Sequence, residues 1–100
     1  MRLCNVVGTV VATVKDPGLQ GLKLLLLEDC DIYGKGRGPV HVAVDTVGAG
    51  LGEMVLSAAG SSARQTRATA DRPVDAVVMA IVDLVEAAGE ITYRKTERSA

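Results

Sequence analysis

This sequence predicts a small, mostly β fold: an OB-like, partly open five-stranded β-barrel with one or two short helical turns. Three observations predict it. Short runs rich in Val, Leu, Ile and Thr recur along the chain. Glycine and proline punctuate these runs at close intervals. Helical signals are confined to one brief small-residue stretch and one ambiguous segment late in the chain.

The elements follow in order. Leu3 to Val14 reads as a long strand in which Gly8 marks a bulge or bend. Lys15-Asp16-Pro17-Gly18 is a turn, because proline presets φ and glycine accepts positive φ. Leu22 to Glu28 is a second strand. Asp29 to Pro39 holds Gly34, Gly36 and Gly38 among scattered charges and reads as an exposed hairpin loop. Val40 to Asp45 alternates as a third strand, and Glu53 to Ala58 is a fourth. Gly60 to Gln65 suits a short helical turn with Ser61 or Ser62 as its N-cap. Thr66 to Pro73 is a polar loop. Val74 to Glu86 supports two readings. Asp75, Asp83, Glu86 and Glu90 fall near one face at helical spacing, whereas the β-branched residues around Ile81 and Val82 favour a strand. Ile91 to Arg94, after a turn at Gly89, adds a short final strand.

One hundred residues support one domain, 1–100. The chain is 48% apolar yet lacks Trp and Phe, and Tyr33 and Tyr93 are its two aromatics. The core must therefore be aliphatic, and part of the apolar surface is available for burial between subunits. A net charge of −1 and so few rings argue against the basic, aromatic groove of an OB-fold single-stranded nucleic-acid-binding module, the alternative function for such a barrel. The longest strictly apolar run, Leu24 to Leu27, is far too short for a membrane span. Met1-Arg2 leads straight into a strand-like run without a signal-peptide pattern, so the expectation is a soluble cytosolic protein. Cys4 and Cys30 make no disulfide framework and are expected as buried free thiols.

The densest stretch for function is Val42 to Arg64. Gly48-Ala49-Gly50-Leu51-Gly52 lacks the Gly-x-Gly-x-x-Gly spacing and leads into a strand, which argues against a phosphate-binding loop. Asp45 and Glu53 flank this turn. Acid–base work would need one of them in a water-poor pocket; the plainer expectation pairs them with Arg64 or backbone amides. His41 is the only histidine, and no spacing of Cys, His and Asp forms a zinc site. Ser61 and Ser62 have only His41 as a possible base and read as caps. Arg94, Lys95 and Arg98, interleaved with Glu97, read as a solvated face. No enzyme activity, catalytic residue, metal or cofactor is expected.

Val44-Asp45-Thr46-Val47-Gly48-Ala49-Gly50-Leu51-Gly52-Glu53 followed by Gly60-Ser61-Ser62-Ala63-Arg64 resembles the signature of the bacterial microcompartment vertex proteins, the EutN/CcmL family. The likeness extends to Val6-Val7-Gly8-Thr9-Val10-Val11-Ala12-Thr13, Lys15-Asp16-Pro17 and Leu24-Leu25-Leu26, and resumes at Pro73-Val74-Asp75-Ala76 and Ala80-Ile81-Val82-Asp83. Cys30 to Val40 and the tail after Gly89 are its least typical parts. The resemblance implies a structural homopentamer that closes the vertices of a microcompartment shell in the bacterial cytoplasm, against hexameric shell proteins. It implies a subunit interface or axial turn at Gly48, Ala49, Gly50, Gly52, Glu53, Ser61, Ser62 and Arg64. Rim contacts to hexamers would involve Lys15 and Asp16. It also favours a brief turn at Val74 to Val78 and then a strand to about Glu86.

Overall fold

A computed structural model of the chain describes residues 1–95. Its strands are β1 (Arg2–Val10), β2 (Lys23–Cys30), β3 (Gly36–Asp45), β4 (Met54–Ala59), β5 (Ala76–Ile81), β6 (Leu84–Ala87) and β7 (Glu90–Arg94). Short 3-10 turns occupy Pro17–Leu19 and Gly60–Arg64. Five strands close into a barrel in the order β1-β2-β3-β5-β4, and β6 with β7 makes a separate two-stranded sheet. The β3–β5 pair is parallel and the others are antiparallel. The expected mostly β, five-stranded barrel with short helical turns is present, and its sheet is closed where a partly open one was expected. Closure removes the unpaired strand edges that an open sheet would offer to other chains.

Alternation along the strands fills the barrel. Cys4 and Val6 of β1, Leu25 and Leu27 of β2, Ala43 of β3, Val55 of β4 and Val78 of β5 share one buried cluster with Ala49. Val44, Ala58, Ala63, Val74 and Val77 form a second, with Leu19, Leu22, Leu24 and Met79 packed against it. The core is aliphatic, as the composition requires.

Several boundaries differ from the sequence reading. β1 stops at Val10, not Val14; Lys15 turns back so that its Nζ donates to the Ala12 carbonyl at 2.9 Å. The irregularity expected at Gly8 is there, as a register shift between Val6 and Gly8. The hairpin is much shorter than Asp29 to Pro39, because β2 continues to Cys30 and β3 begins at Gly36. Its turn is held by Asp31, whose Oδ1 accepts the amides of Tyr33 (2.9 Å) and Lys35 (3.0 Å). Gly36 and Gly38, which read as loop breakers, let the Glu28 side chain fold across the strand. A Cβ on Gly36 would collide with the Glu28 carboxylate, whose Oε2 accepts the Gly38 amide at 3.2 Å.

The ambiguous segment is β-structure. Strand β5 starts at Ala76, two residues into the expected turn, and ends at Ile81. Val77 and Val78 pair with Val44 and Asp45 on one side and with Ala58 and Ser57 on the other. Neighbours on both edges override the helical spacing of the acidic residues. The final strand expected at Ile91 is β7, one residue longer at its start, behind a turn of Ala88 (φ 52°) and Gly89 (φ 81°).

Candidate functional site

The glycine turn between β3 and β4 is organised by its two flanking carboxylates. Asp45, whose side chain is only 2% exposed, accepts at Oδ1 from the amides of Val47 (3.1 Å), Gly48 (3.2 Å) and Ala49 (3.3 Å). Its Oδ2 accepts the Ala49 amide at 3.1 Å and faces Lys23 Nζ at 3.5 Å. Glu53 Oε1 accepts the Gly50 amide, and Glu53 Oε2 pairs with Lys95 Nζ at 2.8 Å. That bond holds the Lys95 ammonium above the usual lysine range. The Gly52 amide donates to the Val6 carbonyl at 2.8 Å, so the turn is stitched onto β1. The turn's amides at Val47 to Gly50 are held by its own carboxylates and that of Gly52 by the Val6 carbonyl, which argues physically against a nucleotide loop.

Gly48 (φ 78°) and Gly52 (φ 84°) sit in the left-handed region. Gly50 is not among the positive-φ glycines; a Cβ there would lie 3.3 Å from Glu53 Oε1. Ala49 is 1% exposed and belongs to the barrel core, while Leu51 is exposed at the tip.

The second stretch lies at the other end of β4. The Gly60–Arg64 turn is capped by Ala59 without a side-chain bond, so neither Ser61 nor Ser62 is its N-cap; both are exposed. The hydroxyls stand inside the turn, one and two residues past Gly60, and not at the cap. Of the two pairings expected for Asp45 and Glu53, the structure shows the backbone amides, while Arg64 Nη1 donates to the Val74 carbonyl at 3.0 Å. The turn is anchored by Ala63, fully buried, and by the Gly60 amide on the Asp75 carbonyl at 2.8 Å. Lys15 and Asp16 lie apart from both stretches, in the β1–β2 connection. Asp16 Oδ1 accepts the Gly18 amide at 2.8 Å and caps the Pro17–Leu19 turn. Lys95, read as part of a solvated face, is tied to Glu53; Glu97 and Arg98 lie outside the described residues.

The structure also assembles a constellation that sequence spacing does not reveal. Cys4, Asp29 and His41 bring one ligand-type atom each to within 4.8 Å of one another. Cys4 stands directly opposite Asp29 in the β1–β2 register, and His41 stands opposite Leu27 in the β2–β3 register. Directly opposite residues share a face, so all three point inward. Cys4 is fully buried, and burial pushes its thiol above the ordinary value. Cys30 is half-buried, not buried, and burial pushes its thiol up to about 11. Both cysteines are free thiols, as expected. The linear separations within this trio match no metal motif, because the residues converge across three strands.

Residues 1–83 match the family model described as ethanolamine utilisation protein EutN/carboxysome. The carboxysome shell vertex protein CcmL of Synechocystis sp. is 48% identical over 97 residues, covering 97% of each chain. The bacterial microcompartment shell vertex protein EutN of Salmonella typhimurium is 45% identical over 95 residues, covering 95% of this chain and 96% of that one. Among solved structures, the GrpN pentameric microcompartment shell protein of Rhodospirillum rubrum superposes with a TM-score of 0.80 at 46% identity, covering 87% of this chain and 99% of that one. The fold, the glycine turn and these likenesses agree: the chain belongs to the EutN/CcmL family of microcompartment shell vertex proteins, which are structural proteins and not enzymes.

Proposed function

We propose that this chain acts as one domain over residues 1–100 and assembles into a homopentamer that caps the vertices of a microcompartment shell in the bacterial cytoplasm, edge to edge with hexameric shell proteins. The need is geometric. Hexagonal tiles alone give flat layers or tubes, and a closed polyhedron needs fivefold corners. A head-to-tail contact that turns one fifth of a circle closes into such a ring.

One observation carries this reading: the likeness, over 87% of this chain, to a solved shell protein named as pentameric. The lone chain supports it. Val40 and Val42 on the outer face of β3, and Leu51 at the glycine turn, are 51%, 45% and 65% exposed. Exposed aliphatic side chains of this kind are suited to burial against another subunit. Gly48, Gly50, Gly52 and Glu53 at the turn, with Ser61, Ser62 and Arg64 beside β4, form the proposed subunit-contact surface. Ala49 serves it indirectly, by locking the turn into its own core. Lys15 and Asp16 give the proposed rim loop its shape, since both side chains bind their own backbone.

Light scattering on the purified protein should give five times the 10.4 kDa chain mass. A monomer or dimer as the only species overturns the pentamer. Omitting the chain from co-expressed cognate shell proteins should leave shells open or elongated under electron microscopy. Sealed polyhedra without any pentamer overturn the vertex role.

A further inference from the structure

Cys4, Asp29 and His41 lie outside the assembly surfaces proposed above and gather three different donor types at one end of the barrel interior. We propose that they form a transition-metal site suited to Zn²⁺, which clamps β1, β2 and β3 together. The distances fit. Two ligands of a tetrahedral zinc, each ~2.0–2.3 Å from the ion, lie about 3.3–3.7 Å apart. Cys4 Sγ is 3.4 Å from Asp29 Oδ1, and His41 Nδ1 is 4.0 Å from the same oxygen. Small side-chain rotations close the set, and the three strands that carry it are already fixed by the closed barrel.

The donor chemistry selects the ion. A thiolate, an imidazole and one carboxylate favour zinc and its soft neighbours over Mg²⁺ or Ca²⁺, which prefer oxygen alone. An outer layer is in place. Arg2 Nη1 donates to Asp29 Oδ2 at 3.0 Å, which turns Oδ1 toward Cys4 and His41. Hydrogen-bonded carboxylates of this kind orient ligands in metal sites. Ser57 Oγ lies 3.5 Å from Cys4 Sγ and adds a polar neighbour on its other side. Asp29 is open to solvent through a cleft that it lines with Arg2, Leu3, Cys30, Asp31 and Ile32. On binding, the Cys4 thiol releases its proton to solvent. The thiolate and the Asp29 carboxylate then balance the two charges of the ion. Affinity should therefore rise with pH.

The test uses the full-length protein, stripped with chelator and titrated with ZnCl₂ by calorimetry and with CoCl₂ by absorption. The expected result is one ion per chain, with a thiolate-to-cobalt charge-transfer band in the near ultraviolet. Cys4→Ser and His41→Gln should abolish saturable binding, Cys30→Ser should keep it, and Arg2→Gln should weaken it roughly 10–100-fold. Because His41 is the only histidine, nitrogen NMR of the wild-type imidazole provides a readout independent of any variant's folding. One equivalent of Zn²⁺ should shift the Nδ1 resonance. An unmoved resonance, a cobalt spectrum without the thiolate band, or binding that survives Cys4→Ser overturns the site.

Discussion

The glycine turn and the Cys4–Asp29–His41 cluster use the same kind of side chain in opposite ways. In the turn, Asp45 accepts amides two, three and four residues ahead, and Glu53 accepts one three residues behind. The carboxylates complete a local structure, and the loop keeps its amides from other ligands. In the cluster, Asp29 meets a thiol 25 residues away in the chain and lies beside an imidazole from a third strand. Its donor atoms converge on one another, around a space they can share. A carboxylate that satisfies neighbouring backbone builds shape; one that faces other side-chain donors builds a site.

The largest effect should come from breaking the turn. Asp45→Ala leaves the part-buried Ala49 amide and the exposed Val47 and Gly48 amides without their acceptor and removes the ion-pair partner of Lys23, and an unsatisfied buried group costs about 1–3 kcal/mol. The expected loss is roughly 3 kcal/mol, or a drop in Tm of the order of 10–20 °C for a domain this size. Thermal denaturation measures it. A drop as small as that of Asp45→Asn, which keeps one acceptor oxygen, would show that the amides find other partners.

Glycine substitutions sharpen the comparison inside the turn. Gly52→Val forces a β-branched residue to φ 84° and should cost about 1–3 kcal/mol of strain. Gly50→Ala has no such strain and needs only a shift of the Glu53 carboxylate, so it should cost less than ~1 kcal/mol. Urea denaturation of the two variants checks the order. Equal losses would mean that the positive φ does not decide the turn.

The thiols predict an alkaline loss of stability. The folded Cys30 thiol is pushed up to about 11, above its ordinary 9.0, and the Cys4 thiol moves the same way. Both raised values mean that the thiols' contribution is whole below pH 9. It is lost as pH rises through 9 to 11, because the unfolded chain ionises first. Lys95, also raised, adds in the same direction. Tm of metal-free protein should fall across this window, and Cys30→Ser should flatten the fall. An unchanged slope in that variant would remove Cys30 as the cause.

The smallest effects are expected at the partly exposed Glu53–Lys95 pair and at the cluster without metal. Glu53→Gln breaks the ion pair with Lys95 but keeps an acceptor for Gly50, and should change stability by ~0–1 kcal/mol. Cys4→Ser should likewise cost less than ~1.5 kcal/mol in chelator, since the buried hydroxyl can take over the hydrogen bond to Asp29. Denaturation with and without Zn²⁺ then separates the two regions. Only the cluster variant should lose a zinc-dependent rise in Tm.

Local chemistry was legible in the sequence. Turn residues placed the breaks at Pro17 and Gly89, apolar runs placed β2 and β4 closely, and the absence of Trp and Phe fixed an aliphatic core. The amide pairing of Asp45 and Glu53 was foreseeable because both partners lie within four residues. The Glu28 side chain crossing Gly36 was not, and glycines that admit a neighbour's side chain read like loop glycines.

What the sequence determined by itself is the β character, the punctuation, the core chemistry and the family, since each depends on residue type and near spacing. What only the tertiary structure decided is the closure of the barrel, the bounds of the strand at Ala76–Ile81 and the meeting of Cys4, Asp29 and His41. Each of these depends on which distant strands pair and in what register. A one-residue slip in that register would turn every inward side chain outward.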